Sequence, residues 1–143
     1  MKYLGVIFDR GLRWNRYISH TAQRASQVID VLARSAGAYW GMKSEALRVI
    51  YKGAIVPVLT YAAPVWAEGL GVQSNVEMLR RAQRLMLLGI IQGVQTISFQ
   101  ACCLISGFQP IEIEVDEVAG TFVALVSSAP AGGLAASGTC CGA

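Results

Sequence analysis

The chain has 143 residues, which is enough for one domain with a hydrophobic core of its own. It is 54% hydrophobic and only 15% charged, with a mean hydropathy of +0.46, which is apolar for a free-standing soluble domain of this size. All twelve Lys and Arg lie between Lys2 and Arg84, so residues 1–88, with five acids, carry a net charge of +7, and residues 89–143, with four acids, carry −4. The basic part fits a polyanionic partner and equally fits an ordinary solvated surface, and the mixed N-terminus excludes a secretory signal.

Cysteine and histidine usage argues against a metal site or a nucleophilic catalytic site. The four cysteines form two adjacent pairs, Cys102-Cys103 and Cys140-Cys141, and His20 is the only histidine. Because no CxxC spacing accompanies them, we expect buried, reduced thiols in an intracellular protein, with no metal ligands and no catalytic residues in this chain.

The first fourteen residues predict a strand or a small hairpin. Residues 2–8 form a strand-like run, Asp9-Arg10-Gly11 is a turn signal, and Leu12–Trp14 would be the short return strand.

Three amphipathic helices are predicted over residues 15–90. The first has Asn15 as its cap and glycines at 37 and 41 near its end; its apolar stripe is Ile18, Ala22, Ala25, Ile29 and Leu32. The second has Ser44 as its cap, and its stripe runs from Leu47 through Tyr51 and Ile55 to Leu59. A capping box at Ser74–Glu77 opens the third, whose stripe is Val76, Leu79, Ala82, Gln83 and Met86. Arg80, Arg81 and Arg84 lie on the opposite, basic side of this third helix.

Pro57 should kink the second helix within the preceding turn. Residues 53–67 carry no charge, but fifteen residues with two prolines are too short and too broken to cross a bilayer, so a buried central helix is predicted.

Residues 91–118 are predicted to be a connecting segment. It contains a short fourth helix between Gln95 and Leu104 and an extended stretch in which Ile111, Ile113 and Val115 alternate with acidic residues. Residues 119–143 are free of charge and rich in Gly, Ala and Ser, which favours an irregular or non-native tail over a membrane span at Val118–Ala136.

The predicted fold is therefore mainly α, with an N-terminal strand or hairpin, a three-helix bundle and an irregular tail. The aromatic residues Trp14, Tyr39, Trp40, Tyr61 and Trp66 are expected in the core rather than stacked on bases, because their neighbours are apolar at helical spacing.

Four separated motifs resemble one known family. They are "KYLGVIFDRGLRWNRYI", "AQRASQVIDVLARSAG", "ALRVIYKGAIVPVLTYAAPVW" and "VEMLRRAQRLMLLGIIQGVQTISFQACCLISGFQPIEIE". In this order they resemble the region just downstream of the polymerase active site in reverse transcriptases of non-LTR (LINE-type) retrotransposons, especially insect elements that insert into ribosomal genes. The resemblance covers about residues 2–118.

The resemblance implies a division of labour along the chain. Lys2, Tyr3, Leu4 and Gly5 would be the end of the primer grip, which presses on the 3′ end of the DNA primer. Residues 15–90 would be the thumb, which holds the duplex of RNA template and DNA primer by its backbone. The predicted nucleic-acid-binding residues are these four together with Arg13, Arg16, Arg24 and Lys52, which are basic residues away from the apolar stripes.

The resemblance also implies what the parent protein contains. It would be an RNA-directed DNA polymerase, with or without an endonuclease domain, whose palm and fingers lie upstream and whose catalytic aspartates bind Mg²⁺. This chain has no adjacent Asp-Asp pair, so we expect it to be inactive alone and to need no cofactor itself. An intracellular protein, acting in the nucleus at the site of integration, is implied.

Two further departures from the family pattern stand out. Tyr17-Ile18 replaces the frequent His-Ile, and the charge-free end replaces a basic, Arg-rich continuation, as in a frame-shifted or truncated copy. Two other classes of function stay open. One is a stand-alone helical module that binds nucleic acid or protein, and the other, less favoured, is a small membrane-associated protein.

Overall fold

A computed structural model describes residues 1–35 and 43–128 of the chain. A two-stranded sheet, β1 (Lys2–Tyr3) and β2 (Val6–Ile7), precedes the helices, which are α1 (Asn15–Ser35), α2 (Ser44–Ile50), α3 (Val56–Leu59), α4 (Ala63–Trp66), α5 (Gln73–Ile91), α6 (Phe99–Ser106) and α7 (Ile111–Ser128). The predicted class, mainly α with an N-terminal hairpin, is confirmed. Tyr39, Trp40 and the glycines predicted to end α1 lie outside the described residues, as do residues 129–143.

The hairpin is shorter than predicted and turns at a different place. Lys2 pairs with Ile7 and Tyr3 with Val6 in an antiparallel register, so the turn is Leu4-Gly5. The predicted return strand, Leu12–Trp14, was wrong, because the partner strand follows within the first eight residues. Trp14 instead enters the core, where its ring meets Phe8 edge-on at 5.3 Å between centroids.

Helix α1 packs against α5 through the predicted stripe. Ile18, Ala22, Ala25 and Ile29 are buried, and Leu32 lies half-buried against the same core. Spacings of three and four residues place these side chains on one face of a helix, so the local period was sufficient to predict which face is buried.

The second predicted helix runs on from Ser44 to Leu59, and the bend of 47° lies after it, before Ala63, so the kink in the turn before Pro57 stays a prediction. A π-helical turn, Tyr51–Ile55, joins α2 to α3, and Pro57 is the second residue of α3. Tyr51, Ile55 and Leu59 are fully buried at a constant spacing of four residues. An α-helix with 3.6 residues per turn would rotate such a stripe steadily off the core, and the wider π turn restores its direction.

Helix α5 contributes to the core along its whole length, and its predicted stripe is buried throughout. The predicted capping box was wrong: the helix begins at Gln73, no side chain caps it, and Asn75 is buried. The amide of Asn75 donates instead to the carbonyl oxygens of Arg13 and Gly69, both at 2.9 Å, and ties the start of α5 to two preceding loops.

The stretch predicted to be extended is the start of α7, so that prediction was wrong. Ile111 and Val115 are fully buried at helical spacing, whereas Ile113 is 44% exposed. Gln83 accounts for this start, since its Oε1 accepts from the backbone N–H of Ile111 at 2.9 Å and so caps the helix from α5. The helix continues to Ser128, across the boundary predicted after residue 118.

Two further expectations concern membranes and thiols. Among the described residues no single helix is long and apolar enough to cross a membrane. One bent pair of helices, Ser44–Leu59 and Ala63–Gly71 at 47°, has the length and composition of a span when the two are taken together. Cys102 and Cys103 are free and buried, as predicted, and burial raises the pKa of the Cys103 thiol.

Candidate nucleic-acid interface

The hairpin turn presents its backbone to solvent. Leu4 and Gly5 both have positive φ, 47° and 84°, which is the geometry of a two-residue type I′ turn. A glycine suits this geometry, whereas leucine is strained there. Lys2, Tyr3, Leu4 and Gly5 are all exposed, so the four residues predicted for the primer grip form one accessible tip.

Tyr61 fastens this tip to the helices. Its hydroxyl donates to the carbonyl oxygen of Leu4 at 3.0 Å. Its own carbonyl oxygen accepts from the Tyr17 hydroxyl at 3.0 Å and from Trp66 Nε1 at 2.8 Å. Tyr61 was expected in the core, yet its side chain is 54% exposed, while Trp14 and Trp66 are buried as predicted. The position of the turn is therefore set by one half-exposed tyrosine with a fixed backbone.

A row of cationic and polar side chains runs along α1 beside this tip. Arg16, His20 and Arg24 are four residues apart, so they follow one another at intervals of about 6 Å along the helix axis. Arg16 and Arg24 are exposed and His20 is half-buried. Within residues 1–35 and 43–128 neither arginine forms an ion pair, since the pair observed there joins Arg80 to Glu112.

The turn, α1 and α3 enclose a half-open cavity of about 370 Å³. Its walls include Gly5 from the turn, Tyr17, His20 and Arg24 from α1, and Pro57 and Tyr61 beside α3. The structure thus brings two predicted residues, Gly5 and Arg24, together in one cavity. His20 and Tyr61 were missed, because no sequence motif reports that the turn folds back onto α3.

Lys52 lies elsewhere. Its ammonium and the guanidinium of Arg48 are each 5.6 Å from the centre of the Phe108 ring. Lys52 also faces Glu114, where burial raises the pKa of the carboxyl, Glu117 raises it further, and the Lys52 charge opposes both. The predicted Lys52 is therefore engaged with the segment around α7 and does not line the cavity.

The remaining basic residues divide into free and engaged groups. Arg13 is exposed, with its carbonyl held by Asn75. Arg80 pairs with Glu112, and Arg84 donates to the carbonyl of Ile97 at 2.8 Å, so these two hold α6 and α7 rather than forming the predicted basic surface. Arg81 alone of that trio remains fully exposed.

In the described part of the chain the structure brings together no three His, Cys, Asp or Glu side chains that could hold a metal ion. The residues present therefore do not fit a Mg²⁺ site, and the chemistry of the cavity is that of arginine, histidine, tyrosine and backbone.

Comparisons with known proteins identify relatives of one kind. The chain is 32% identical over 112 residues to a 115 kDa protein in the type-1 retrotransposable element R1DM of Drosophila melanogaster, covering 78% of this chain and 11% of the relative. It is 31% identical over 116 residues to a retrovirus-related Pol polyprotein of a type-1 retrotransposable element of Nasonia vitripennis, covering 80% of this chain and 29% of the relative. A third relative, the corresponding Pol polyprotein of Bradysia coprophila, is 25% identical over 114 residues.

These matches span most of this chain but a minor part of each relative. The chain covers 11% of the Drosophila and Bradysia proteins and 29% of the Nasonia protein. No family model and no solved structure matches. The resemblance seen in the sequence is confirmed: the chain is homologous to one segment of the Pol polyproteins of type-1 retrotransposable elements, which are non-LTR retrotransposons.

Proposed function

We propose that this chain holds the template–primer duplex of a retrotransposon RNA-directed DNA polymerase and contributes no catalytic centre. The hairpin serves as the end of the primer grip, and the bundle from α1 to α5 serves as the thumb. The observation that carries the proposal is the row Arg16–His20–Arg24 beside the exposed turn and the cavity between them. The relatives support it, because the Nasonia and Bradysia proteins are retrovirus-related Pol polyproteins of type-1 retrotransposable elements.

The arrangement suits contact with a sugar–phosphate backbone. The two arginines of the row are exposed and unpaired within the described residues, so their charge is available to phosphates. A polymerase has to accept every sequence, so its duplex-holding surface contacts phosphates and sugars rather than base edges. The exposed turn adds backbone groups without bulky charge, and Gly5 permits close approach.

The geometry ranks the predicted binding residues. Arg16, Arg24, Leu4 and Gly5 adjoin the cavity or the row beside it, and Lys2 and Tyr3 stay predictions on the same tip. Arg13 stays a prediction on an exposed loop. Lys52 ranks last, because Phe108 and Glu114 already neighbour its ammonium.

The rest of the polymerase would supply the chemistry. In this proposal the palm and fingers of the same polyprotein carry the catalytic aspartates and their Mg²⁺ ions. The proposal does not depend on an endonuclease domain elsewhere in that polyprotein. The whole protein would act in the nucleus, where the element integrates. This chain's own share is to bind and orient the duplex of RNA template and DNA primer.

Neutralising the arginines of the row should weaken binding of an RNA–DNA hybrid. We expect Arg16→Gln and Arg24→Gln each to lower the slope of log affinity against log salt by about one, as loss of one phosphate contact does. Fluorescence anisotropy with a labelled hybrid at several salt concentrations measures this slope.

Arg81→Gln is the matched control, since it removes the same charge. Arg81 belongs to α5 and lies beside the other flank of α1. There a concavity of about 340 Å³ is lined by Ser19 and Ser26 of α1 and by Arg81. Its slope should equal that of the unaltered chain. If Arg81→Gln lowers the slope and the other two variants leave it unchanged, the duplex lies on the Arg81 side of α1. That result would contradict the proposed binding surface.

A second candidate is a helical module that binds another protein. It is favoured by the C-terminal half of α7, where Val118, Phe122, Val123, Leu125 and Val126 are all 40% exposed or more. Exposed apolar clusters of this kind mark interaction surfaces. If the chain fails to bind a hybrid even at low salt, this candidate gains over the first.

A further inference from the structure

The cavity beside the hairpin turn has the size and lining of a pocket for a single nucleotide. At about 370 Å³ it is too small for a duplex and falls near the lower end of pockets that hold small organic ligands. It combines an aromatic ring, an imidazole, a proline face and one guanidinium, namely Tyr61, His20, Pro57 and Arg24. Rings that stack on a base and a cation that meets its phosphate are the two elements of single-strand recognition.

Resting on the proposed function, we infer that this cavity takes one unpaired nucleotide at the end of the duplex, with its base against the Tyr61 ring and its phosphate on Arg24. The held duplex would then be read at its end as well as along its backbone. The class of ligand is an unpaired nucleotide of either strand, whose phosphate takes Arg24 at the end of the row, while the paired region lies along the rest of the row towards Arg16.

Hydrogen bonds hold Tyr61 in place without a ligand. Its hydroxyl is bound to the Leu4 carbonyl, and its carbonyl oxygen accepts from Tyr17 and Trp66, so both ends of the residue are held. The side chain nevertheless stays 54% exposed. A ring that is already ordered loses little conformational entropy when a base stacks on it.

Gly5 lies beside the Tyr61 ring in the wall of the cavity. A Cβ built at this position would lie 3.8 Å from Cε1 of Tyr61, which is an ordinary contact distance. The φ of +84° disfavours any residue with a side chain. The glycine predicted from the family resemblance thus has a local reason in this structure, which is the left-handed backbone of the turn.

The test uses three RNA–DNA hybrids that differ only at one end. One is blunt, one carries a single unpaired nucleotide, and one carries an abasic residue at the same place, which adds the phosphate without the base. Each is made with the extra residue on either strand. We expect the unpaired nucleotide to raise affinity at least about fivefold over the blunt hybrid, the lower end of base–aromatic stacking, and the abasic residue to raise it less.

In the Tyr61→Ala variant, the affinity for the hybrid with an unpaired nucleotide should be close to the affinity for the blunt hybrid. Because this variant also removes the bond to Leu4, a second readout uses the unaltered chain: 2-aminopurine as the unpaired base should lose fluorescence on binding through stacking. Equal affinity of all three hybrids, or an abasic residue as good as a base, would overturn the inference and leave the proposed function standing. Absence of binding to any hybrid would overturn both.

Discussion

Replacing Gln83 with leucine is expected to destabilise the fold by about 3–4 kcal/mol, since it leaves several buried polar groups without partners. Gln83 is fully buried, and its Nε2 donates to the Tyr51 hydroxyl and to the Gln109 carbonyl, both at 2.7 Å. Its Oε1 caps the first N–H of α7. Leucine has a similar volume, so the loss measures hydrogen bonding rather than a cavity. Urea titration followed by circular dichroism gives the free energy of unfolding.

The control for this substitution is Gln100→Leu on α6. Gln100 is exposed, so its replacement should change the free energy of unfolding by less than about 0.5 kcal/mol. If Gln83→Leu is as mild as the control, α7 does not depend on its cap from α5, and the account of why this acidic stretch is a helix fails.

Gly69→Ala is expected to destabilise the fold by about 1–3 kcal/mol through overpacking. A Cβ at this buried glycine would lie 2.9 Å from Cβ and 3.1 Å from Cδ1 of Trp14, and 3.3 Å from Cδ1 of Ile18. The first of these atoms is held close to the backbone and cannot swing away. Thermal unfolding of the variant, compared with the unaltered chain, measures the effect as a lower Tm.

Gly71→Ala is the matched control, because Gly69 and Gly71 both lie in one short 3-10 helix, Ala67–Gly71. A Cβ there meets nothing within 4 Å, so the change should be neutral or stabilising by less than about 1 kcal/mol. Two equal Tm shifts would show that crowding against Trp14 is not the reason for a glycine at position 69.

The helices were predictable where a local period decides them. The stripe from Ile18 to Ile29 and the stripe from Val76 to Met86 repeat every three or four residues, and burial follows that period directly. The stripe of the second helix, Tyr51, Ile55 and Leu59, was predictable in the same way, and all three are fully buried.

The errors arose where distant residues decide the local structure. The alternation of Ile111, Ile113 and Val115 fits the period of a strand, but the spacing of Ile111 and Val115 alone also fits a helix. The contact that decides for the helix comes from Gln83 on α5. The turn at Leu4-Gly5 lacks the Asn-Gly or Asp-Gly pair that usually marks a type I′ turn, so Asp9-Arg10-Gly11 gave the stronger signal.

The candidate site shows the same division. Arg16, Arg24 and Gly5 follow from helix faces and from the family resemblance. Tyr61 contacts the hairpin from the break between α3 and α4, where the chain bends by 47° and Ala62 has a φ of +55°, and no local pattern signals that bend. In the sequence, Lys52 and Arg24 are both basic residues away from an apolar stripe. The structure distinguishes them, because the Lys52 ammonium lies over the Phe108 ring.

The most direct test of the account maps the hybrid onto the chain. Uniformly ¹⁵N-labelled protein is titrated with an RNA–DNA hybrid, and backbone amide shifts are followed by NMR. We expect the largest changes on residues 2–5, on Arg16, His20 and Arg24, and on Tyr61. Changes concentrated around Lys52 and Phe108, or on the Arg81 flank of α1, with the hairpin unaffected, would contradict it.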